Sequence, residues 1–341
     1  MTGAMGVLGR VRDAATVAGF RGGWAFLRRM PEGAAYALFD RIADLTVARG
    51  GAARMRSNYA IVRPELDDAA LDALVRDGMR AYLRYYCEAF RLPVLGPDEL
   101  AARVRVEGDE PVRAVLDDGG SVVCFLGHLG NWDLAGAWGA VHLAPVTTVA
   151  ERLEPEEVFE EFLAFRTGLG MTIHPLTGGP APFPLLREAA RRRGLIPLLA
   201  DRDLSRSGVE VDFCGSPARM AAGPAALAIA ERRPLFPVSI RHEKLPVGSG
   251  ARWGIVITFH PAVADPGTGT TAERVAAMTQ ACADALGGAV RTHTADWHML
   301  QPVFTKDLDA DRLARAGAAH VPGSEAAGEA AAGETTAGEA R

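Results

Sequence analysis

The sequence predicts an α/β fold with a central mixed, largely parallel β-sheet flanked by helices, a helical N-terminal lead-in and a disordered C-terminal tail. Three observations carry that expectation. After Glu107, seven short apolar runs alternate with longer segments that are apolar along one side only, as strands and their covering helices do in a layered domain. Before about residue 100, apolar residues recur at three- and four-residue spacing, the period of a helix face. The stretch 317–341 is Ala, Gly, Glu and Thr with almost nothing large and apolar, too little to offset the entropy of ordering a chain.

The elements follow in order. Val7, Leu8 and Val11, then Tyr36, Leu38, Phe39, Ile42 and Leu45, then Leu71, Leu74, Val75, Met79, Tyr82 and Leu83 mark three amphipathic stretches. Pro31 suits a helix start, and Arg63-Pro64 followed by Asp67-Asp68 reads as a break and then an N-terminal cap. Strands are expected at 121–126, 145–150, 171–175, 195–200, 209–213, 235–240 and 253–259, with helices at 131–142, 156–169, 183–193, 223–232 and 271–292. The expected division is a helical region over 1–100 packed on the core and facing a membrane, an α/β core over 101–310, and the tail. No internal repeat is visible.

Composition narrows the function. The 341 residues are 48% hydrophobic with a net charge of −5, enough apolar material to bury a full core. The charge is uneven: residues 1–60 carry Arg10, Arg12, Arg21, Arg28, Arg29, Arg41, Arg49, Arg54 and Arg56 against Asp13, Glu32, Asp40 and Asp44. Arg21, Arg28 and Arg29 lie beside Phe20, Trp24, Phe26 and Leu27, a mixture that suits an anionic lipid surface, although a core-packing helix with a charged outer face has the same pattern. Cys87, Cys124, Cys214 and Cys282 are far apart and suggest neither a disulfide framework nor a zinc site, which fits a reducing cytoplasm. No run of about 18 apolar residues and no signal sequence are visible, so neither membrane spanning nor export is expected. The basic residues lack the interleaved aromatics of a nucleic-acid module. Neither a Gly-x-Ser-x-Gly elbow nor a phosphate loop occurs.

One local pattern carries chemistry. The apolar run Val122-Val123-Cys124-Phe125-Leu126 leads directly into Gly127-His128 and then into a helix starting near Asn131; open α/β sheets place their chemistry at such strand ends. A neutral imidazole there can take a proton from an alcohol, provided a carboxylate fixes its tautomer. Asp133 follows five residues later, about 140° away on a continuous helix, so the two meet only if the chain bends at Gly130-Asn131. A hydrogen-bonded core histidine with a capping aspartate fits the same spacing. Asp201-Arg202-Asp203 ends another apolar strand and belongs on the same sheet edge, where its acids can serve the imidazole or form local ion pairs in a solvated turn. Glu151 and Arg166 fall near that edge, with surface ion pairing as their default role. Asn131 and Arg202 complete the candidate substrate contacts. His142, His174, His242, His260, His293, His298 and His320 form no zinc-spaced group and are expected to be incidental.

Residues 127–138, GHLGNWDLAGAW, resemble the H-x-x-x-x-D block of bacterial lipid A late acyltransferases and glycerolipid acyltransferases. Four further blocks, TVAERL at 148–153, LTGG at 176–179, ADRDLSRSGV at 200–209 and ADWHMLQP at 295–302, resemble the actinobacterial phosphatidylinositol mannoside acyltransferases. The resemblance implies transfer of a long acyl chain, typically palmitoyl, from acyl-CoA as co-substrate to a mannose hydroxyl of phosphatidylinositol mono- or dimannoside, at the cytoplasmic face of the cell membrane. It implies His128 as general base, Asp133 as part of the catalytic block, Asp201 as the acid paired with the histidine in place of the Glu of some members, and Glu151 and Arg166 along the groove. Neither a bound cofactor nor a metal is implied. Ala221 departs from the family, where Pro is usual. Backbone N–H groups near Asn131 or the guanidinium of Arg166 are candidates for stabilising the oxyanion. Another glycolipid or lysophospholipid acceptor, a non-catalytic lipid-binding role, and a metal hydrolase using His128 and Asp133 remain alternatives.

Overall fold

The computed structural model describes residues 22–23, 26–151, 156–203, 208–246, 248 and 250–308. Most of the lead-in expected around 7–30, and all of the tail at 317–341, lie outside these residues.

Before the first strand come helices α1 Glu32–Ala48, α2 Ala53–Val62, α3 Asp68–Arg91 and α4 Pro97–Ala102. Helix α3 starts where the sequence places a cap, with the Asp67 carboxylate accepting from Ala70 N at 2.8 Å and satisfying one of the free N–H groups of the first turn. Tyr36 and Phe39 of α1 pack with Cys87 of α3 in a small cluster of their own.

The main sheet contains β1 Val104–Glu107, β2 Ser121–Leu126, β3 Val146–Ala150, β4 Met171–Pro175, β5 Gly194–Leu199, β8 Leu235–Lys244 and β9 Trp253–Phe259. Its strand order is β1-β9-β8-β2-β5-β3-β4, and every neighbour pair is parallel except β8 with β9. The sheet is therefore mixed and largely parallel, as the sequence predicts. Two strands were not expected, β1 and the strand that follows the run at 209–213. The four-residue edge strand β1 is too short to show a pattern. The run 209–213 forms β6 Val209–Phe213 but stays outside the main sheet, pairing antiparallel with β7 Ser216–Met220. The two-residue turn between them, Cys214-Gly215, has positive φ at both positions, the geometry that matches the twist of a tight hairpin.

Strand β2 is buried along its whole length, and its alternation feeds two cores. Val123 and Phe125 join a core with α2, α3, α8 Pro182–Ala190, α9 Gly223–Glu231 and α10 Thr271–Thr292. Val122, Cys124 and Leu126 face the other way, toward α5 Glu110–Asp117, α6 Trp132–His142 and α7 Glu156–Gly168.

Candidate active site

The central pairing of the sheet explains how residues far apart in sequence meet. Strands β2 and β5 run parallel in a register that sets Leu126 beside Leu199. Two residues beyond each lie His128 and Asp201. The imidazole Nδ1 stands 2.6 Å from Asp201 Oδ1, and the His128 backbone N–H donates to Oδ2 at 2.9 Å. Gly127 is small for a reason, because a Cβ there would sit 3.1 Å from Asp201 Oδ2. Gly130, at φ +57°, would set a Cβ 2.7 Å from the Ile240 carbonyl. Both glycines keep the turn tight against its neighbours.

Asp201 is 1% exposed, whereas the His128 side chain keeps 27% of its surface. The carboxylate accepts a third hydrogen bond, from Trp297 Nε1 at 2.9 Å. Burial works against its charge, but the His128 interaction and the Trp297 donor outweigh burial and hold the carboxyl below its usual range. A carboxylate fixed on Nδ1 leaves Nε2 as the proton acceptor.

Asp133 has other partners. Its carboxylate receives Arg166 Nε at 2.7 Å, Arg166 Nη2 at 3.3 Å and the Tyr85 hydroxyl at 2.7 Å. The bend at Gly130-Asn131 exists, yet it turns Asp133 toward α7 and α3 rather than toward His128. Burial opposes the Arg166 cation, and Asp133 reverses that effect and keeps it firmly charged. Asn131, expected as a substrate contact, is fully buried. Its Oδ1 caps α6 by accepting from Leu134 N at 2.9 Å, and its Nδ2 donates to Glu88 at 2.8 Å. No part of that side chain is left for a substrate.

His128, Arg166, Glu151 and Arg202 share the wall of one cavity of about 290 Å³ with the apolar side chains Phe159, Phe162, Leu163, Ile173, Leu176 and Leu199. Arg202 donates to Gln301 and stands 3.8 Å from the exposed Glu151 carboxylate. A more open groove of about 870 Å³ between α4, α6 and α7 bears Arg28 and Glu161, but His128 lines the smaller cavity, with Asp201 buried behind it. The arrangement has the chemistry to offer a proton acceptor and cations beside apolar walls.

A family model described as bacterial lipid A biosynthesis acyltransferase matches residues 12–306. The chain belongs to that family. It is an acyltransferase. Among its relatives, a phosphatidylinositol mannoside acyltransferase of Mycolicibacterium smegmatis is 39% identical over 318 residues, covering 93% of this chain and 99% of the relative. A phosphatidylinositol mannoside acyltransferase of Mycobacterium tuberculosis is 38% identical over 308 residues, covering 89% and 93%.

Several residues of this acyltransferase site escape a reading of its motifs. Trp297 sits in the block at 295–302 that carries the resemblance, but nothing local reveals that its indole reaches Asp201, 96 positions away. Helix α2 anchors that block: Tyr59 donates to the Trp297 carbonyl at 2.8 Å, and Asn58 donates to the carbonyls of Met299 and Gln301, each at 2.9 Å. His242 and His298, expected to be incidental, are buried beside the 127–131 turn. His298 N donates to the His128 carbonyl at 2.7 Å, and its Nε2 bonds the Gly130 carbonyl at 3.0 Å.

Proposed function

We propose that this acyltransferase moves a long-chain acyl group, palmitoyl in the favoured case, from acyl-CoA to a mannose hydroxyl of phosphatidylinositol mono- or dimannoside, with His128 as general base. The observation that carries the chemistry is the His128–Asp201 pair at the mouth of an apolar-floored cavity. The printed names of relatives matched over nearly their whole length support the acceptor.

In this mechanism His128 Nε2 removes the hydroxyl proton as the oxygen attacks the thioester carbonyl. Asp201 stabilises the imidazolium that forms. The carbon–sulfur bond then breaks, and the imidazolium returns its proton to the departing CoA sulfur. Arg166, kept cationic by Asp133, and Arg202 line the same cavity and are the groups proposed to face the oxyanion and the acceptor's polar head; Glu151 at the rim accepts from sugar hydroxyls. The aromatic and aliphatic floor receives the acyl chain, each buried methylene contributing about 0.8 kcal/mol.

The reading also places the protein peripherally on the cytoplasmic face of the membrane. Among the described residues no helix is long and apolar enough to cross a bilayer. Helix α1 instead exposes Leu38, Ile42 and Leu45 along a stripe flanking its packed residues, beside the exposed Arg41 and Arg49. That combination suits an anionic lipid surface.

The deciding experiment measures thiol release from palmitoyl-CoA with and without phosphatidylinositol mannosides, comparing wild type with His128→Ala. Release that depends on the acceptor and is lost in the variant is the expected result. Release with another glycolipid or a lysophospholipid, but not with mannosides, overturns the acceptor. Liposome binding unchanged by the substitution, with no thioester turnover for any acceptor, replaces catalysis with a lipid-binding role.

A further inference from the structure

Behind the catalytic turn, on the side away from the cavity, lies a second set of charged groups. The His242 Nδ1 of β8 stands 2.7 Å from Asp296 Oδ1, and its Nε2 stands 3.4 Å from Glu88 Oε2 of α3. The histidine side chain is 2% exposed, and those of Glu88 and Asp296 keep 10% and 13% of their surface. Each carboxylate-bearing segment also grips residues 128–131. Glu88 Oε2 accepts from Asn131 Nδ2 at 2.8 Å. The Asp296 carbonyl accepts from Gly130 N at 2.9 Å, and His298 reaches the carbonyls of His128 and Gly130. Leu129 pairs with Trp297 as an isolated antiparallel bridge.

We infer that His242, by binding Glu88 and Asp296 at once, is a positioning residue for the transfer reaction: it clamps α3 and the 296–298 segment on either side of the 128–131 turn and thereby fixes the direction in which His128 faces the substrate. The inference rests on His128 being the base. It assigns a role to groups that touch neither substrate nor the reacting atoms.

The electrostatics agree with the geometry. Burial disfavours a cation at His242, but the charge of Glu88 and the hydrogen bond to Asp296 outweigh it and push the imidazole up to about 9. Other charged or titratable groups near the two carboxylates are Arg84 and Cys87 on α3 beside Glu88, the Tyr36 hydroxyl of α1 donating to Glu88 at 3.2 Å, Arg103 beyond it, Tyr59 and His293 beside Asp296, and His298. Burial, and then the His242 charge, drive His298 down to about 3, so it stays neutral. Trp253 of β9 closes the cluster edge-on at 6.3 Å. One cation between two carboxylates is thus the resting state at neutral pH, and each carboxylate is held below its usual range.

Replacing His242 alone leaves two buried carboxylates without their cation, which destabilises the fold itself. The test therefore uses Glu88→Gln/His242→Gln, which lowers the charge on both sides while keeping a donor for Asp296 and an acceptor for Asn131 Nδ2. Expected for this double variant, at native circular dichroism, are a kcat lower by roughly tenfold to a hundredfold and KM values for both substrates within about twofold. Wild-type kcat should fall as pH rises through about 9, and this limb should be absent from the variant. The ¹⁵N resonances of the His242 ring should report an imidazolium at pH 7. A neutral ring at pH 7, or an unchanged kcat per folded enzyme, overturns the inference. If wild type transfers no acyl group at all, the proposed function fails instead. Hydrogen exchange at residues 128–131 then decides separately, since faster exchange in the double variant supports the clamp and unchanged exchange overturns it.

Discussion

The two histidine–carboxylate pairs on either side of the 127–131 turn make nearly the same bond. His128 meets Asp201 at 2.6 Å and His242 meets Asp296 at 2.7 Å, both through Nδ1. They differ at the other nitrogen. His128 keeps 27% of its side-chain surface open beside the cavity, whereas His242 has Nε2 turned to Glu88 and is 2% exposed. An imidazole with one carboxylate and one open nitrogen can take and return a proton. With two carboxylates in a sealed pocket the proton is held, and the ring becomes a fastening. The number of acids and the access of solvent therefore separate the two roles, and histidine–carboxylate distance does not.

The widest separation between the pairs should come from Asp201→Asn, which keeps the shape and removes the charge. On the proposed mechanism kcat falls roughly 10³- to 10⁴-fold, because the ring loses both its tautomer control and the stabilisation of its cation. Steady-state thiol release checks this. A loss under tenfold would mean that Asp201 does not act on the base. Asp133→Ala should invert the pattern. It strips the buried partner of Arg166, and breaking such a pair costs roughly 3–5 kcal/mol of stability, visible as a large fall in melting temperature. The outcome to watch for is a melting temperature near wild type with activity lost, which would return Asp133 to the chemistry itself.

Much of the first pair is legible in sequence because strand register is simple. The apolar runs expected at 121–126 and 195–200 become neighbouring strands ending at Leu126 and Leu199, so a reactive residue just past one end faces a residue just past the other. The long strands and the helices Trp132–His142, Glu156–Gly168, Pro182–Ala190, Gly223–Glu231 and Thr271–Thr292 follow from periodicity, whereas the helices Ala53–Val62, Pro97–Ala102 and Glu110–Asp117 were not expected. The second pair has no such signature. Glu88, His242 and Asp296 belong to a helix, a strand and a turn and are brought together only by tertiary packing. Asp133 shows the opposite failure: its spacing from His128 is conspicuous, but its partners Arg166 and Tyr85 are 33 and 48 residues away. The run at 209–213 likewise has a core strand's alternation, and the turn that follows diverts it into a hairpin.

The sealed pair should also show in stability against pH. His242 rises from an unfolded value of 6.5 to about 9 in the fold, so its contribution is complete below pH 6.5 and is lost as pH climbs through 9. The loss is bounded at roughly 3 kcal/mol. His298, lowered to about 3, acts in the opposite sense: the unfolded chain binds a proton there that the fold refuses, so stability declines as pH drops below 6.5. Denaturant midpoints from pH 4 to 10 should therefore peak near neutrality. In Glu88→Gln/His242→Gln the alkaline decline should flatten while the acid decline remains. An alkaline decline that survives the double substitution would show that other groups set it.

The smallest expected effect probes the residue that joins the two pairs. Trp297 donates to Asp201 Oδ2 while its neighbour Asp296 holds His242, and the indole packs against Tyr59, Phe213 and Phe304. Trp297→Phe keeps an aromatic ring in that cluster and removes one N–H. Asp201 then retains two donors, both from His128, and its carboxyl shifts back up toward its usual range. A hydrogen bond to a charged acceptor contributes about 1.5–3 kcal/mol, part of which appears as stability and part as kcat, so a fall in kcat of about tenfold is expected. The ¹⁵N shifts of His242 should not move, because the Asp296 carboxylate is untouched. If they do move, the two pairs are one network sharing a proton balance, and holding the base and aiming it cease to be separable functions of this turn.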